Sequence, residues 1–216
     1  MGQADLTPHQ VVDVLISFIR VSLEQIWYNL DIYPAESFRK YTFHHLDVYS
    51  SRHPRVIAYL DEFERAIRPM FEEGKVVRLY LEVMDIDEKS CSIGISFKNS
   101  LLFEQIRNDT QFMESNRPNK VFSSFTLINQ MKAFLYSLMI ETASLDRRNG
   151  DNYGDFKILL STTDDSSVSQ DENWILEKSF NSEMSKQNVK FENKDIKTIR
   201  EVNIGYLLMR GYVARF

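Results

Sequence analysis

Three small groups in this 216-residue chain have residue types that could do chemistry. His44-His45 with His53 offers imidazoles to a metal, but the spacing fits no common zinc pattern and no thiol lies nearby, so a solvated loop is the stronger reading. Asp85, Asp87 and Glu88 cluster as acid–base carboxylates sometimes do; they fall between two alternating apolar runs, where carboxylates serve turn chemistry and solubility. Cys91 is the only cysteine, which excludes an internal disulfide or a thiolate metal cluster within one chain and points to a reducing compartment. No glycine-rich phosphate loop, nucleophile elbow or metal-binding helix is present, and the 7 glycines are scattered. The residues therefore predict no catalytic group, no metal and no cofactor: a protein that is not an enzyme.

Two aromatics stand out instead. Tyr59 falls on an apolar helical face, where core packing is the commoner role of a tyrosine and ligand contact the rival one. Trp174 directly follows the polar, acidic stretch 162–172 and reads either as a core anchor for what comes after or as a contact residue. The charge balance narrows what they could contact. With 26 Lys plus Arg against 31 Asp plus Glu, the net charge of -5 supplies no attraction to nucleic acid or to an acidic membrane. A single-strand DNA binder would interleave basic and aromatic residues along a groove. No apolar run approaches the roughly 20 residues of a spanning helix, and the N-terminus lacks a secretory pattern. The glycosylation acceptor Asn108-Asp109-Thr110 would then stay unmodified. The expected location is the cytosol or the nucleus.

At 43% hydrophobic and 26% charged residues the chain can bury one core, and one domain is expected. Thr7-Pro8-His9-Gln10 carries a capping box and a proline at the first helical position. Val12, Leu15, Ile19, Leu23, Ile26 and Leu30 then recur at helical spacing, and the segment ends at Tyr33-Pro34. His53-Pro54 opens a second helix over Val56, Tyr59 or Leu60, Phe63, Ile67 and Met70, with Gly74 as its stop. The period then changes to two: Val77, Leu79, Leu81 and Val83, a turn, and Cys91, Ile93, Ile95 and Phe97 predict a hairpin with one buried face. Residues 99–120 read as irregular. A third helix is expected with Phe122, Phe125, Ile128, Met131, Leu135 and Leu138 on one stripe and a stop at Arg147 to Gly150, and Phe156 to Leu160 as a strand. Three long helices beside an antiparallel sheet make an α+β arrangement. Two polar excursions then precede an apolar finish over 202–213, so the C-terminal segment crosses much of the domain's surface.

In order and spacing, several stretches resemble the HORMA family, and within it the accessory-subunit branch that serves translesion polymerase zeta. They are Ile32-Tyr33-Pro34, Phe38, His53-Pro54 with Tyr59, Lys75-Val76-Val77, Lys132-Ala133-Phe134, Phe156 to Ser161, Asn173-Trp174-Ile175-Leu176, Ile196-Lys197-Thr198 and Leu208-Met209-Arg210-Gly211-Tyr212-Val213. The resemblance implies a core over about 1–161 and a "safety belt" over about 162–216 that closes on an extended partner peptide. It implies Tyr59 and Trp174 as contacts for a proline-containing segment of the polymerase zeta catalytic subunit. Arg210 and Tyr212 would form a second surface for the C-terminal domain of a Y-family scaffold polymerase, and Lys132 a self-association position for a homodimer. The chain departs from relatives at Leu30 and Lys132, where they carry arginine, at Arg210, where they carry an uncharged amide, and at Gly211, where they carry a larger apolar residue. A spindle-checkpoint or meiotic-axis adaptor of the same fold, with a different partner peptide, is the alternative.

Overall fold

Thr7 opens helix α1 (Pro8–Asn29) with a reciprocal capping box: its hydroxyl accepts from the Gln10 amide at 3.3 Å, and its own amide donates to Gln10 Oε1 at 2.9 Å. In this computed structural model, residues 6–84, 89–108, 113, 122–145, 155–163 and 195–215 are described, apart from the side chains of Lys89 and Ser90. α1 stops at Asn29, short of Tyr33-Pro34. Asp31 takes a left-handed φ of 50°, and the Ile32 amide folds back onto the Trp27 carbonyl at 3.0 Å, so the chain has turned before the proline arrives.

A hairpin of β1 (Phe38–Phe43) and β2 (Leu46–Ser51) follows. His44 and His45, with φ of 45° and 65°, are its two-residue turn, the mirror-image kind that suits strand twist. The hairpin docks on α1 through side chains that imitate a strand. Gln25 donates to the Tyr49 carbonyl at 2.6 Å and accepts from the Tyr49 amide at 3.0 Å, while the buried Glu24 accepts from the Ser51 amide at 2.9 Å and the Ser50 hydroxyl at 3.0 Å. Burial holds the Glu24 carboxyl above the usual carboxylate range against those hydrogen bonds.

Helix α2 (Pro54–Glu72) starts on its proline and ends where Gly74 adopts a φ of 66°. Strands β3 (Val76–Met84) and β4 (Lys89–Ser96) form the expected hairpin. Residues 99–120 are not irregular throughout, because helix α3 (Leu101–Asn108) lies within them. It buries Leu102, Phe103 and Ile106, with Phe103 meeting Phe71 and Phe97 edge-on. Two turns with four apolar residues, three of them buried, leave too short a period to separate from a loop in sequence.

Helix α4 (Ser124–Ala143) buries Leu127, Met131, Phe134, Leu135, Leu138 and Thr142, a stripe rotated from the expected one. Phe122 precedes the helix, so the phase counted from it does not continue to Phe125, which is 62% exposed. The helix closes at Ser144, and the expected stop at Arg147 to Gly150 lies outside the described residues. Strands β5 (Phe156–Thr162), β6 (Ile196–Asn203) and β7 (Leu208–Arg215) complete the element order.

Among the described residues, five strands form one antiparallel sheet in the order β5-β3-β4-β7-β6. Leu79, Leu81, Val83, Ile93, Ile95, Met209 and Val213 face the helices and share one core with Val12, Leu15, Ile19, Leu60 and Leu135. The chain leaves the sheet at one margin after β5 and re-enters at the other margin with β6.

Candidate functional site

The margin formed by β5 can be read group by group. The Met84 amide donates to the Asp155 carbonyl at 2.8 Å, and Val83, Leu81 and Leu79 stand opposite Phe156, Ile158 and Leu160. Antiparallel pairing alternates, so the backbone groups of Lys157, Leu159 and Ser161 turn toward β3, while those of Phe156, Ile158 and Leu160 turn outward. Among the described residues no strand pairs with that outer margin. The Phe156 amide already donates to the Asp155 carboxylate at 2.8 Å, which leaves Ile158 and Leu160 as the groups that an added strand would meet first.

Beside the start of β5 lies an aromatic cluster drawn from α1, the turn after it, α2 and β5. The Phe156 ring centroid is 5.2 Å from Trp27, 6.2 Å from Tyr59 and 6.3 Å from Tyr33. Trp27 lies 5.6 Å from Tyr33 and 6.2 Å from Tyr59. Trp27 is the floor, wholly buried, and Tyr59 is the outer wall, 40% exposed. Burial, reinforced by each tyrosine's electrostatic neighbours, holds the Tyr33 and Tyr59 hydroxyls above the ordinary phenol range, so both are neutral donors at physiological pH. Trp27 Nε1 is buried with no hydrogen-bond partner. A strand laid along β5 could exchange backbone hydrogen bonds with Ile158 and Leu160 and seat an apolar or proline side chain on these rings.

Tyr59 is thus where a contact residue needs to be, although its helical spacing alone read equally well as core. Trp174, expected beside it, lies outside the described residues. Trp27 and Phe156 were not singled out as contact residues in the sequence. Trp27 sits off the Leu23-Ile26-Leu30 stripe, on a helix buried on most of its circumference, and the usable signal was its large ring next to that stripe. Phe156 carried only a strand signal.

The remaining expected residues lie elsewhere. Tyr212, on β7, stands opposite Gly94 on the sheet face away from the helices. Its ring lies flat over Gly94, filling the space a side chain there would take, and meets Tyr80 at 6.2 Å. Burial, then Tyr80, pushes its hydroxyl up. Arg210 is exposed on the same face and pairs with Glu201. Gly211 points the other way: a Cβ there would lie 2.6 Å from Phe134 Cζ, so the larger residue of relatives is replaced by a ring arriving from α4 and the outer face is untouched. Lys132 is half-buried on α4, at helical spacing from the exposed Phe125, Tyr136 and Ile140, and its charge, after burial, lowers the pKa of His44.

No family model matches the chain. In structure it resembles a chain of the Mitotic Checkpoint Complex, with a TM-score of 0.69 at 13% identity over 95% of this chain and 98% of that one. It also resembles C. elegans HTP-2 bound to a HIM-3 closure motif, with a TM-score of 0.66 at 15% identity over 98% and 92%. In sequence it is 29% identical over 90 residues to the mitotic spindle assembly checkpoint protein MAD2B of Homo sapiens and of Bos taurus. The chain has the fold of these HORMA-domain structures. The stretch matched in sequence covers 41% of this chain and 43% of the MAD2B chains, less than half of each. The Gallus gallus MAD2B matches at 30% over 86 residues. The HORMA-domain neighbours include structures bound to peptide motifs, and among the described residues of this chain no strand pairs with the outer margin of β5. Among the described residues no helix is long and apolar enough to cross a membrane, and no group of three His, Cys, Asp or Glu is placed to hold a metal.

Proposed function

We propose that this HORMA domain is a non-catalytic adaptor that clasps a proline-containing peptide of the polymerase zeta catalytic subunit and, in the nucleus, joins it to the C-terminal domain of a Y-family scaffold polymerase in translesion DNA synthesis. The observation that carries the clasping is the outward backbone of Ile158 and Leu160 with Tyr59, Phe156 and Trp27 beside it. Strand addition supplies backbone hydrogen bonds, and rigid aromatic faces receive proline with little loss of entropy. The segment from about 162 onward acts as the belt that closes over the peptide, with Trp174 as its contact. Release then requires displacing a strand, which makes capture slow to reverse.

Likeness to MAD2B together with the Lys75-Val76-Val77, His53-Pro54 and Leu208 to Val213 motifs supports polymerase zeta as the partner. Tyr212 and Arg210, on the face away from the helices, form the surface for the scaffold polymerase. Lys132, with Phe125, Tyr136 and Ile140 along α4, is the face for a second copy. The checkpoint name of the relatives and the peptide-bound HTP-2 neighbour favour a second reading, a checkpoint or meiotic-axis adaptor clasping a different peptide.

The test is calorimetry of the full chain against overlapping peptides of the polymerase zeta catalytic subunit, with affinity purification and mass spectrometry in parallel. One proline-containing peptide binds, and Trp174→Ala weakens it by about a hundredfold, ~2.7 kcal/mol, while the fold persists. Recovery of spindle-checkpoint or meiotic-axis proteins and no polymerase subunit would replace the first reading with the second.

A further inference from the structure

Trp27 presents a problem the clasping reading does not by itself solve. Its indole is wholly buried, and among the described residues Nε1 has no hydrogen-bond partner, with the rings of Tyr33, Tyr59 and Phe156 packed against the indole. A buried donor without an acceptor is costly and is usually retained for a reason. The wall over it is movable. Of the four rings, Tyr59 is the most exposed and comes from a different helix than Trp27, so a rotation of its side chain opens the floor without disturbing α1.

We infer that the Trp27 indole N–H is a specificity donor of the peptide site, and that it donates to a main-chain carbonyl oxygen at or next to a proline of the captured segment. This rests on the clasping reading above. The acceptor is neutral, because the floor is built of rings and Asp155 electrostatically disfavours negative charge at Tyr33. Proline suits the buried floor, where the Trp27 indole is a donor with no acceptor atom of its own. It carries a carbonyl but no N–H, so its carbonyl satisfies Trp27 and nothing of its own is left unpaired against the indole. Any other residue brings an amide proton onto the indole, which cannot accept it. Selectivity for proline then comes from hydrogen-bond accounting as well as from the fit of a ring on Tyr59.

The experiment uses the full chain with 15N-indole tryptophan and a proline-containing dodecapeptide selected on the immobilised chain from a displayed random library. The Trp27 Hε1 resonance, assigned by its loss in Trp27→Phe, moves downfield on saturation. Trp27→Phe binds the same peptide about tenfold more weakly, the worth of one buried hydrogen bond. The substitution also removes buried ring volume, so the melting temperature falls and affinities are compared at saturating fold; a purely structural tryptophan would show that loss of stability with neither the Hε1 shift nor the loss of affinity. Replacing the peptide's proline by alanine costs the wild type more than it costs Trp27→Phe. A selected peptide that binds both proteins equally and leaves the Hε1 resonance in place overturns the inference and leaves strand capture standing. Failure of the wild-type chain to select any peptide overturns both.

Discussion

The two margins of the main sheet are built on opposite plans. β6 is defended: the outward Arg200 amide donates to Ser137 of α4 at 3.3 Å, Lys197 lies 3.6 Å from Glu141, and an extra residue bulges the strand between Ile199 and Val202. β5 meets its register irregularity at its far end, between Val76 and Arg78 of β3. Its register with β3 runs unbroken from Arg78 to Val83, and its outward positions are Phe156, Ile158 and Leu160. A straight strand edge invites another chain, and proteins ordinarily prevent that; the charged side chain of β5, Lys157, lies on the sheet face away from the helices. Leaving the backbone of β5 open beside a half-open aromatic cluster makes sense if an added strand is the purpose, whereas the β6 margin is tied to α4.

Breaking the comparison requires the same change on both margins. Proline removes one amide, and at Ile158 and Thr198 that amide points outward, so neither change removes a hydrogen bond within the sheet. Ile158→Pro is expected to weaken peptide capture by at least about a hundredfold, ~2.7 kcal/mol, and Thr198→Pro to leave it unchanged, both measured by calorimetry. Equal losses would erase the distinction between the margins. The anchoring of β7 is sharpened by Gly211→Ala, which drives a methyl into the buried Phe134 ring. It should cost about 1–3 kcal/mol in denaturant unfolding without altering peptide affinity at saturating fold. A smaller effect is expected of Tyr59→Ala, about tenfold in affinity or ~1.4 kcal/mol, with little change in stability because the ring is partly exposed.

Local signals told the fold well wherever the period was long. Thr7-Pro8 and His53-Pro54 start their helices as written, Gly74 ends one, and the alternation from Val77 to Phe97 folds as the hairpin it predicts. The hairpin of β1 and β2 was hidden because Arg39, Lys40 and Asp47 mask its alternation, and its docking depends on Glu24 and Gln25, polar residues inside a helix that no apolar pattern marks. α3 was too short to show a period. The α4 phase was misread because Phe122 belongs to the segment before the helix.

The candidate site was legible only in part, for a physical reason: it is assembled from distant places in the chain. Trp27, Tyr33, Tyr59 and Phe156 each carry a local signal of helix, turn or strand, and their meeting is a tertiary fact. Tyr59 came from family resemblance, and Trp27 required the packed structure. The side-to-side alternation of β7 was readable, since Gly211 and Val213 face inward and Tyr212 outward, but the ring of Tyr212 lying over Gly94 was not.

Amide hydrogen exchange of the full chain with and without a captured peptide tests the central claim most directly. The account predicts that the amides of Ile158 and Leu160 become protected on binding while those of Ile196 and Thr198 keep their rates. Protection at Ile196 and Thr198 with none at Ile158 and Leu160 would contradict it.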